Sequence, residues 1–288
     1  MAEPYDHHLE ADHPIWVGSG GGPGPTPLQV HIHKGMDFGI GVVPGLELHY
    51  GEVVLRPEAG DVWLGAMWEP HAWRSLSADA RSTIVTFLPD VVEEGFGLEP
   101  SLLGMFVLPP DERPRVTSEK TRALMISIGE EILRESRERR GDWDVAVRIC
   151  LVRALFALRR EWHPSEEARQ MGQVDSNLIC RIMPALTLAH SNLGRRVSSL
   201  EGAAACALTP SWFHNIFRQA MGLSYGAFCR RMRLAHAARE LLTTEATIET
   251  LAEQFGFADG SHLHRRFVAH FRCTPAEYRR KGQLEGDD

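Results

Sequence analysis

Two histidines in the N-terminal third have the spacing of a ligand pair. His31 and His33 alternate in the run LQVHIH, residues 28–33, which has the composition of a strand. Successive side chains of a strand point to opposite faces, so the two imidazoles share one face. Neutral imidazole is a common ligand of zinc and of iron. The pair therefore indicates a face that could hold a metal ion or, alternatively, an organic ligand.

A second set of polar side chains occupies one face of a predicted helix near the C-terminus. Thr209 and Pro210 form a typical helix start, and Gly222 is a typical stop. The inward positions of this helix are apolar: Phe213, Ile216 and Phe217. The outward positions are polar: Ser211, His214, Asn215 and Arg218. This is the spacing by which a helix in the major groove of DNA displays donors and acceptors.

The same pattern occurs again about fifty residues later. Thr247 begins a short helix with Gly256 in the following turn, and Asp259 begins the next helix. The inward positions of that helix are Leu263, Phe267 and Phe271, and the outward positions are Ser261, His262, Arg265 and Arg266. Arg218 and Arg265 could equally bind phosphates, which receive much of all protein–DNA hydrogen bonding. For the histidines, a solvated surface role is an open alternative to base reading.

The charges of the chain are divided unevenly. Its 288 residues carry a net charge of −7, yet residues 178–281 contain 14 Arg and Lys against seven Asp and Glu, a net of +7. A basic C-terminal third predicts a polyanionic partner for that third. No apolar run is long enough to span a membrane, no secretion signal opens the chain, and the five cysteines form no CxxC pair. We therefore expect a soluble, cytoplasmic protein without a disulfide framework.

Short apolar runs fill the region from residue 28 to about residue 89. They are LQVHIH, FGIGVV, LELHY, EVVLRP, DVWLGAM, HAWRSL and STIVTFLP, separated by glycine and proline. Their alternation predicts antiparallel strands that close as a sandwich or barrel. The preceding segment GSGGGPGPTP, residues 18–27, predicts a surface loop.

Two amphipathic helices are predicted next, over residues 117–140 and 143–161, with Asp142 placed to cap the second. The second has an apolar stripe that includes Leu151, Leu155 and Leu158. The two helices either cover the barrel or use this stripe to bind a second subunit. Residues 163–177 are polar and lack periodicity, which predicts an interdomain linker.

The C-terminal third strongly resembles the DNA-binding domain of the AraC/XylS transcription regulators. The shared elements are F-x4-G-x-S from Phe217, R-x3-A-x3-L-L from Arg233, and I-x2-L-A-x3-G-F from Ile248. The resemblance implies two recognition helices in successive major grooves of one DNA face. By position, the first would read DNA with Ser211, His214 and Asn215, and the second with Ser261, His262 and Arg265. The sequence departs from the family at Gly260, often a polar residue, which is expected to weaken one base contact.

The segment EAGDVWLGAMWEPHAW, residues 58–73, resembles the second motif of cupin barrels, and His31-x-His33 followed by Asp37 resembles the first. The resemblance implies a ligand-binding site at His31, His33, Asp37 and His71. A metal ion could bind His31, His33 and His71. Most sensor cupins on this scaffold instead bind an organic effector without metal, so no cofactor is assigned.

Together these patterns predict a multi-domain chain: an all-β cupin-like barrel followed by helices, and an all-α double helix-turn-helix. The expected divisions are a sensing barrel at 1–115, a helical, dimer-forming pair at 116–162, a linker at 163–177 and a DNA-binding domain at 178–281. The expected function is sequence-specific transcription regulation, by activation or repression, under control of a small-molecule effector. The expected partners are double-stranded DNA, the effector, a second copy of the chain and RNA polymerase. The alternative is a metal-dependent cupin enzyme fused to a DNA-binding module; the leading interpretation is not an enzyme.

Overall fold

A computed structural model describes most of the chain. The described residues are 7, 9–10, 12–21, 24–26, 28–51, 53–92, 102–166, 168, 176–271 and 273–284. None of the helices in these ranges is both long and apolar enough to cross a membrane.

Eight antiparallel strands form the N-terminal part. They are β1 (Ile15–Gly20), β2 (Gln29–His31), β3 (Met36–Val43), β4 (Leu46–Tyr50), β5 (Val53–Leu55), β6 (Val62–Gly65), β7 (His71–Ser75) and β8 (Arg81–Phe87). They pair as two four-stranded sheets, in the orders β1-β8-β3-β6 and β2-β7-β4-β5. In the described residues no strand ladder joins the two sheets, so the predicted barrel is an open pair of facing sheets. Fully buried side chains such as Phe38, Ile40 and Phe87 fill its interior.

Strand β1 lies partly where the sequence predicted a loop, and this prediction was wrong for residues 18–20. The strand pairs only with β8 and forms a sheet edge, where glycine is tolerated. A Cβ atom on Gly18 would lie 2.0 Å from the ring of Trp16, so that ring occupies the space that a side chain would need. All seven of the predicted strands are present.

Helices α1 (Gly104–Val107), α2 (Glu119–Glu138) and α3 (Trp143–Glu161) follow the sheets. Helix α2 packs on β8, where Thr83 Oγ1 donates to the Gly129 carbonyl at 3.1 Å. Asp142 is the N-cap residue of α3, as predicted, but its side chain makes no capping hydrogen bond. Ser118 is instead a working cap, for α2, and its hydroxyl accepts from the Thr121 amide.

The predicted subunit-binding stripe on α3 needs a correction. Its three leucines, Leu151, Leu155 and Leu158, are completely buried inside this chain and belong to its core. The exposed apolar residues of α3 are Val145, 51% exposed, and Ile149, 63% exposed. The helix therefore packs its leucine face into the core beside α2, which contacts the sheet, and leaves a different apolar face in solvent.

The remaining elements are all helical. They are α4 (Ser176–His190), α5 (Ser199–Ala205), α6 (Pro210–Met221), α7 (Tyr225–Thr243), α8 (Ile248–Gln254), α9 (Gly260–Phe271) and α10 (Pro275–Leu284). Helices α5 and α6 form one helix-turn-helix unit, α8 and α9 form another, and α7 joins them. The predicted caps Thr209 and Thr247 accept from the amides of Trp212 and Thr250. Ser198 and Glu201 form the capping box of α5.

The C-terminal helices contact the β domain. The ring of Trp68 stacks on His190, at the end of α4, with centroids 4.2 Å apart. Of the predicted linker, residues 163–166, 168 and 176–177 are described, and α4 begins inside its range.

Candidate nucleic-acid interface and sensor site

The two helix-turn-helix units are built by close packing and tight turns. A Cβ atom on Gly202 of α5 would lie 2.7–2.8 Å from Tyr225 and Phe213, so α5 packs closely against both rings. The turn after α5 contains Ala207 at φ 53°, and the turn after α8 contains Gly256 at φ 63°. Both turns thus use one residue in the left-handed region to direct the second helix of the unit.

Helix α6 displays the predicted reading face. Phe213, Ile216 and Phe217 are buried in the core. All four predicted readers are exposed: Ser211, His214, Asn215 and Arg218. Because the Thr209 hydroxyl fixes the first turn, these side chains project from a defined helix start.

Helix α9 displays three of its four predicted readers. Ser261, Arg265 and Arg266 are exposed, as is His264. His262 is half-buried, and its ring packs edge-on against Phe257 at 5.7 Å. The Ala258 amide and Arg266 Nε approach its two ring nitrogens at 3.4 Å each, but a neutral imidazole accepts only one hydrogen bond. His262 is therefore held at the helix start by its own neighbours.

Gly260 does not face outward, so the expected loss of a base contact there was wrong. The residue is buried, and a Cβ atom on it would lie 2.5 Å from Glu249 Oε1 on α8. Glycine here permits α8 and α9 to pack closely.

Two arginines outside the predicted reading faces hold the helices together. Arg233 on α7 donates to the carbonyls of Phe255 and Gly256 at 3.2 and 2.7 Å, in the turn of the second unit. Arg279 donates to the carbonyls of Leu241 and Ala246. Carbonyls at helix ends lack partners within the helix, and these guanidinium groups supply them.

The predicted sensor residues converge between the two sheets. Asp37 Oδ2 lies 3.1 Å from His33 Nε2 and 3.3 Å from His71 Nε2, and all three residues are buried. Thr86 Oγ1 donates to Asp37 Oδ1 at 2.7 Å. Burial opposes ionisation of Asp37, but the neighbouring His33 and His71 outweigh it and lower the pKa of this carboxyl. Burial lowers the pKa of His71, although Asp37 acts in the opposite direction.

His31 stands beside this cluster, as a cross-strand neighbour of His71. Its ring stacks on His71 with centroids 5.7 Å apart. The three residues whose ligand atoms lie within 4.8 Å of one another are His33, Asp37 and His71, whereas the sequence prediction for a metal set had His31 in place of Asp37. Burial and the nearby His71 lower the pKa of His31.

Two of the three donor–donor distances in the cluster fit a divalent ion. Donors bound about 2.0–2.2 Å from one ion lie roughly 2.8–3.6 Å apart at octahedral or tetrahedral angles. Both measured contacts to Asp37, 3.1 and 3.3 Å, fall in that interval. Two imidazoles and one carboxylate are a common donor set for zinc and non-haem iron.

Tyr50 belongs to the same site, and the sequence gave no specific signal for it. Its ring stacks on His71 at 5.6 Å. Its hydroxyl is buried and has no hydrogen-bond partner among the described residues. A Cβ atom on Gly65 would lie within 3.5 Å of both this hydroxyl and Asp37 Oδ2, so the glycine keeps the space between them open.

The loop at residues 66–71 joins this cluster to the C-terminal helices. The Trp68 amide donates to the His33 carbonyl at 2.9 Å, and the Glu69 carbonyl faces His71 Nδ1 at 2.9 Å. Glu69 also pairs with Arg113 at 2.7 Å and lies 4.0 Å from Arg231 on α7. Trp68 itself has φ 54°, a strained conformation for a residue with a side chain. Two cavities, of about 650 and 410 Å³, lie between the domains on either side of this loop.

Two helix-turn-helix units with exposed polar faces define a class, the double helix-turn-helix DNA-binding proteins. Residues 203–281 match a family described as "Helix-turn-helix domain". The transcriptional activator AarP of Providencia stuartii is 29% identical over 116 residues, 40% of this chain and 84% of AarP. The activator RhaR of Yersinia pestis is 26% identical over 153 residues, 53% of this chain and 51% of RhaR. These matches agree with the resemblance to the AraC/XylS transcription regulators that the sequence motifs predicted for the C-terminal third.

Similarity to solved structures extends over most of the chain. ToxT of Vibrio cholerae O395 is 13% identical, with 93% of this chain and 96% of ToxT covered and a TM-score of 0.47. Among the curated relatives, the match spans about half the length of RhaR.

Proposed function

We propose that this protein is a transcription activator that binds DNA through α6 and α9 and responds to a ligand sensed by its β domain. The single observation that most strongly supports DNA reading is that two helices expose the same kind of polar face. Helices α6 and α9 begin fifty residues apart, at Pro210 and Gly260, and each exposes polar residues opposite a buried aromatic or leucine core. Activation is the role named for AarP and RhaR. An activator of this kind would also contact RNA polymerase.

Base reading is assigned to the exposed polar positions of the two helices. In the first these are Ser211, His214 and Asn215, with Arg218 on the flanking phosphates. In the second they are Ser261 and Arg265, with Arg266 on phosphate. His262 would orient Arg266 instead of touching a base, because its ring is engaged within the helix start. Asn is suited to adenine and Arg to guanine in the major groove.

The ligand site is assigned to the buried cluster of His31, His33, Asp37 and His71. An effector there would alter the position of loop 66–71, since the loop's backbone contacts both His33 and His71. The same loop carries Trp68 and Glu69, which contact α4 and α7. If the domains have one arrangement that binds DNA and another that does not, the ligand changes the affinity for DNA only as far as it binds one arrangement more tightly than the other.

A metal ion is the second candidate occupant, favoured by the spacing of His33, Asp37 and His71. Bound there, it would supply a Lewis-acid centre, as the alternative of a metal-dependent enzyme requires. Elemental analysis followed by chelation separates the interpretations. Loss of a catalytic activity on chelation would favour the enzyme, whereas a change in DNA affinity alone would favour a metal-responsive regulator.

Selection of duplexes from a random pool by the full-length protein tests DNA reading. Two conserved blocks about one helical turn apart, ~10 base pairs, are expected, since each recognition helix reads one major groove. Asn215→Ala should relax preference in one block and Arg265→Ala in the other, each at a cost of about 1–3 kcal/mol. Failure to enrich any sequence would contradict the proposal.

A further inference from the structure

An exposed tryptophan flanks the first reading face and carries an arginine on its ring. Trp212, in the first turn of α6, is 43% exposed, although its neighbour Phe213 is fully buried. The guanidinium carbon of Arg181, on α4, lies 4.4 Å from the centre of the Trp212 ring. This is the range of a cation–π contact, which keeps the guanidinium N–H groups available to other acceptors.

Arg181 has a charge that no described residue balances. It is exposed, and within the described part of the chain it makes no ion pair or hydrogen bond. It also lies outside residues 203–281, the segment that matches the helix-turn-helix family. Helix α4 therefore presents a cation beside α6 that neither helix-turn-helix unit includes.

The position of Trp212 on α6 places this cation next to the DNA backbone. Residue 212 follows Ser211 by one position and precedes Asn215 by three, so its side chain leaves the helix beside the reading face. A helix that lies in the major groove has the sugar–phosphate chains at its two sides. A side chain at the flank of the reading face consequently meets phosphates when the outward face meets bases.

The second unit has a different contact at the matching position. His262 lies fifty residues after Trp212, at the same position of α9. Arg266 Nε, on the same helix, lies 3.4 Å from His262 Nε2 at the edge of the ring. An arginine of another helix over the face of the ring is thus found at Trp212 and not at His262.

We infer that Arg181, positioned by the ring of Trp212, binds a phosphate of the DNA backbone beside the first recognition helix. Its N–H groups donate to phosphate oxygens, and Trp212 is a positioning residue. Helix α4 then belongs to the DNA interface. This inference rests on the proposed function, because it requires α6 to enter a major groove.

The test measures the affinity of the full-length protein for a labelled duplex of mixed sequence over a range of KCl concentrations. A phosphate contact is independent of sequence, so no operator is required. Each phosphate contact contributes about −0.9 to the slope of log affinity against log salt. Arg181→Gln should make the slope less steep by about 0.9 and weaken binding several-fold at low salt. Arg160→Gln, which removes an exposed arginine of α3 in the β domain, is the matched control and should leave the slope unchanged.

The Trp212 variants separate positioning from general damage. Trp212→Phe keeps an aromatic face and should bind nearly as wild type, whereas Trp212→Leu should weaken binding. In the Trp212→Leu background, Arg181→Gln should have a smaller effect than in wild type. Both residues are at the surface, and circular dichroism checks that the variants fold.

The possible results are distinct. A steep wild-type slope with an unchanged slope for Arg181→Gln overturns this inference and leaves the proposed function standing. An effect of Arg181→Gln no larger than that of Arg160→Gln overturns it as well. Absence of DNA binding by the wild-type protein overturns both.

Discussion

Ala207 and Gly256 occupy matching places in the turns of the two helix-turn-helix units. Both have positive φ, but only Gly256 is free of a Cβ atom. An L-residue in the left-handed region costs about 1–2 kcal/mol. The first turn is therefore strained at a single residue, while the second is not.

Replacement of Ala207 by glycine should remove this strain. The gain is reduced by the greater freedom of glycine in the unfolded chain, which leaves a stabilisation of about 0.5–1 kcal/mol. Urea unfolding measures it as a higher midpoint. The control is Ala204→Gly, at an exposed helical position of α5, where a loss of about 1 kcal/mol is expected. Equal losses for both variants would mean that the turn is not strained.

The sequence predicted most residues of the histidine cluster but not which of them lie in contact with one another. The alternation of His31 and His33 predicted both imidazoles on one face of a strand, but β2 ends at His31 and His33 lies beyond it. Which groups meet His33 depends on the tertiary structure. Asp37 and His71 approach each other because β3 and β7 lie in facing sheets, and Tyr50 joins them from β4. No local pattern contains that register.

At the scale of elements, the caps predicted at Thr209 and Thr247 agree with the structure, whereas the Asp142 side chain makes no capping hydrogen bond. Thr209 and Thr247 cap their helices because a side-chain oxygen satisfies a free amide wherever a helix begins. Strand β1 was missed because its glycines lack the side chains that indicate a strand in a sequence. The strand forms because its backbone pairs with β8. The stripe of α3 was misassigned because periodicity shows that a face is apolar, not what covers it.

The exposed apolar face of α3 is the better candidate for a contact with a second copy of the chain. Val145 and Ile149 are exposed and Val152 and Phe156 half-buried, at the alternating spacing of four and three by which two helices pack.

Ile149→Arg should convert a dimer to a folded monomer in sedimentation. Ser127→Arg, exposed on α2, is the control and should remain dimeric. Leu155→Arg should instead unfold the β domain, since that side chain is in the core. A dimer that survives Ile149→Arg would place the contact elsewhere.

At the scale of the whole molecule, a buried histidine at the junction between the domains predicts a stability that depends on pH. Burial, together with the charges of His190 and Arg239, lowers the pKa of His236 to about 3. Its Nε2 atom has no hydrogen-bond partner in the described residues, and its ring lies 5.7 Å from that of His190, which stacks on Trp68. The unfolded chain binds a proton here near pH 6.5, whereas the folded chain does so only at lower pH.

The free energy of unfolding should therefore fall as the pH decreases below 6.5, by up to about 1.4 kcal/mol per pH unit for each such proton. Urea unfolding between pH 7 and 5 measures the slope. His236→Gln, which cannot titrate, should make the slope less steep by about one proton. An unaltered slope would mean that His236 takes up its proton equally in both states.

The division of charge makes one measurement decisive for the molecule as a DNA-binding regulator. The chain is acidic overall, with a net charge of −7, yet its exposed arginines at 181, 218, 265 and 266 surround the two reading faces. The measurement is the salt dependence of the full-length protein's affinity for the duplex obtained by selection. Neutralisation of three phosphates by Arg181, Arg218 and Arg266 predicts a slope of log affinity against log salt of about −2.7. A slope near zero, or affinity that rises with salt, would contradict DNA binding through these two helices.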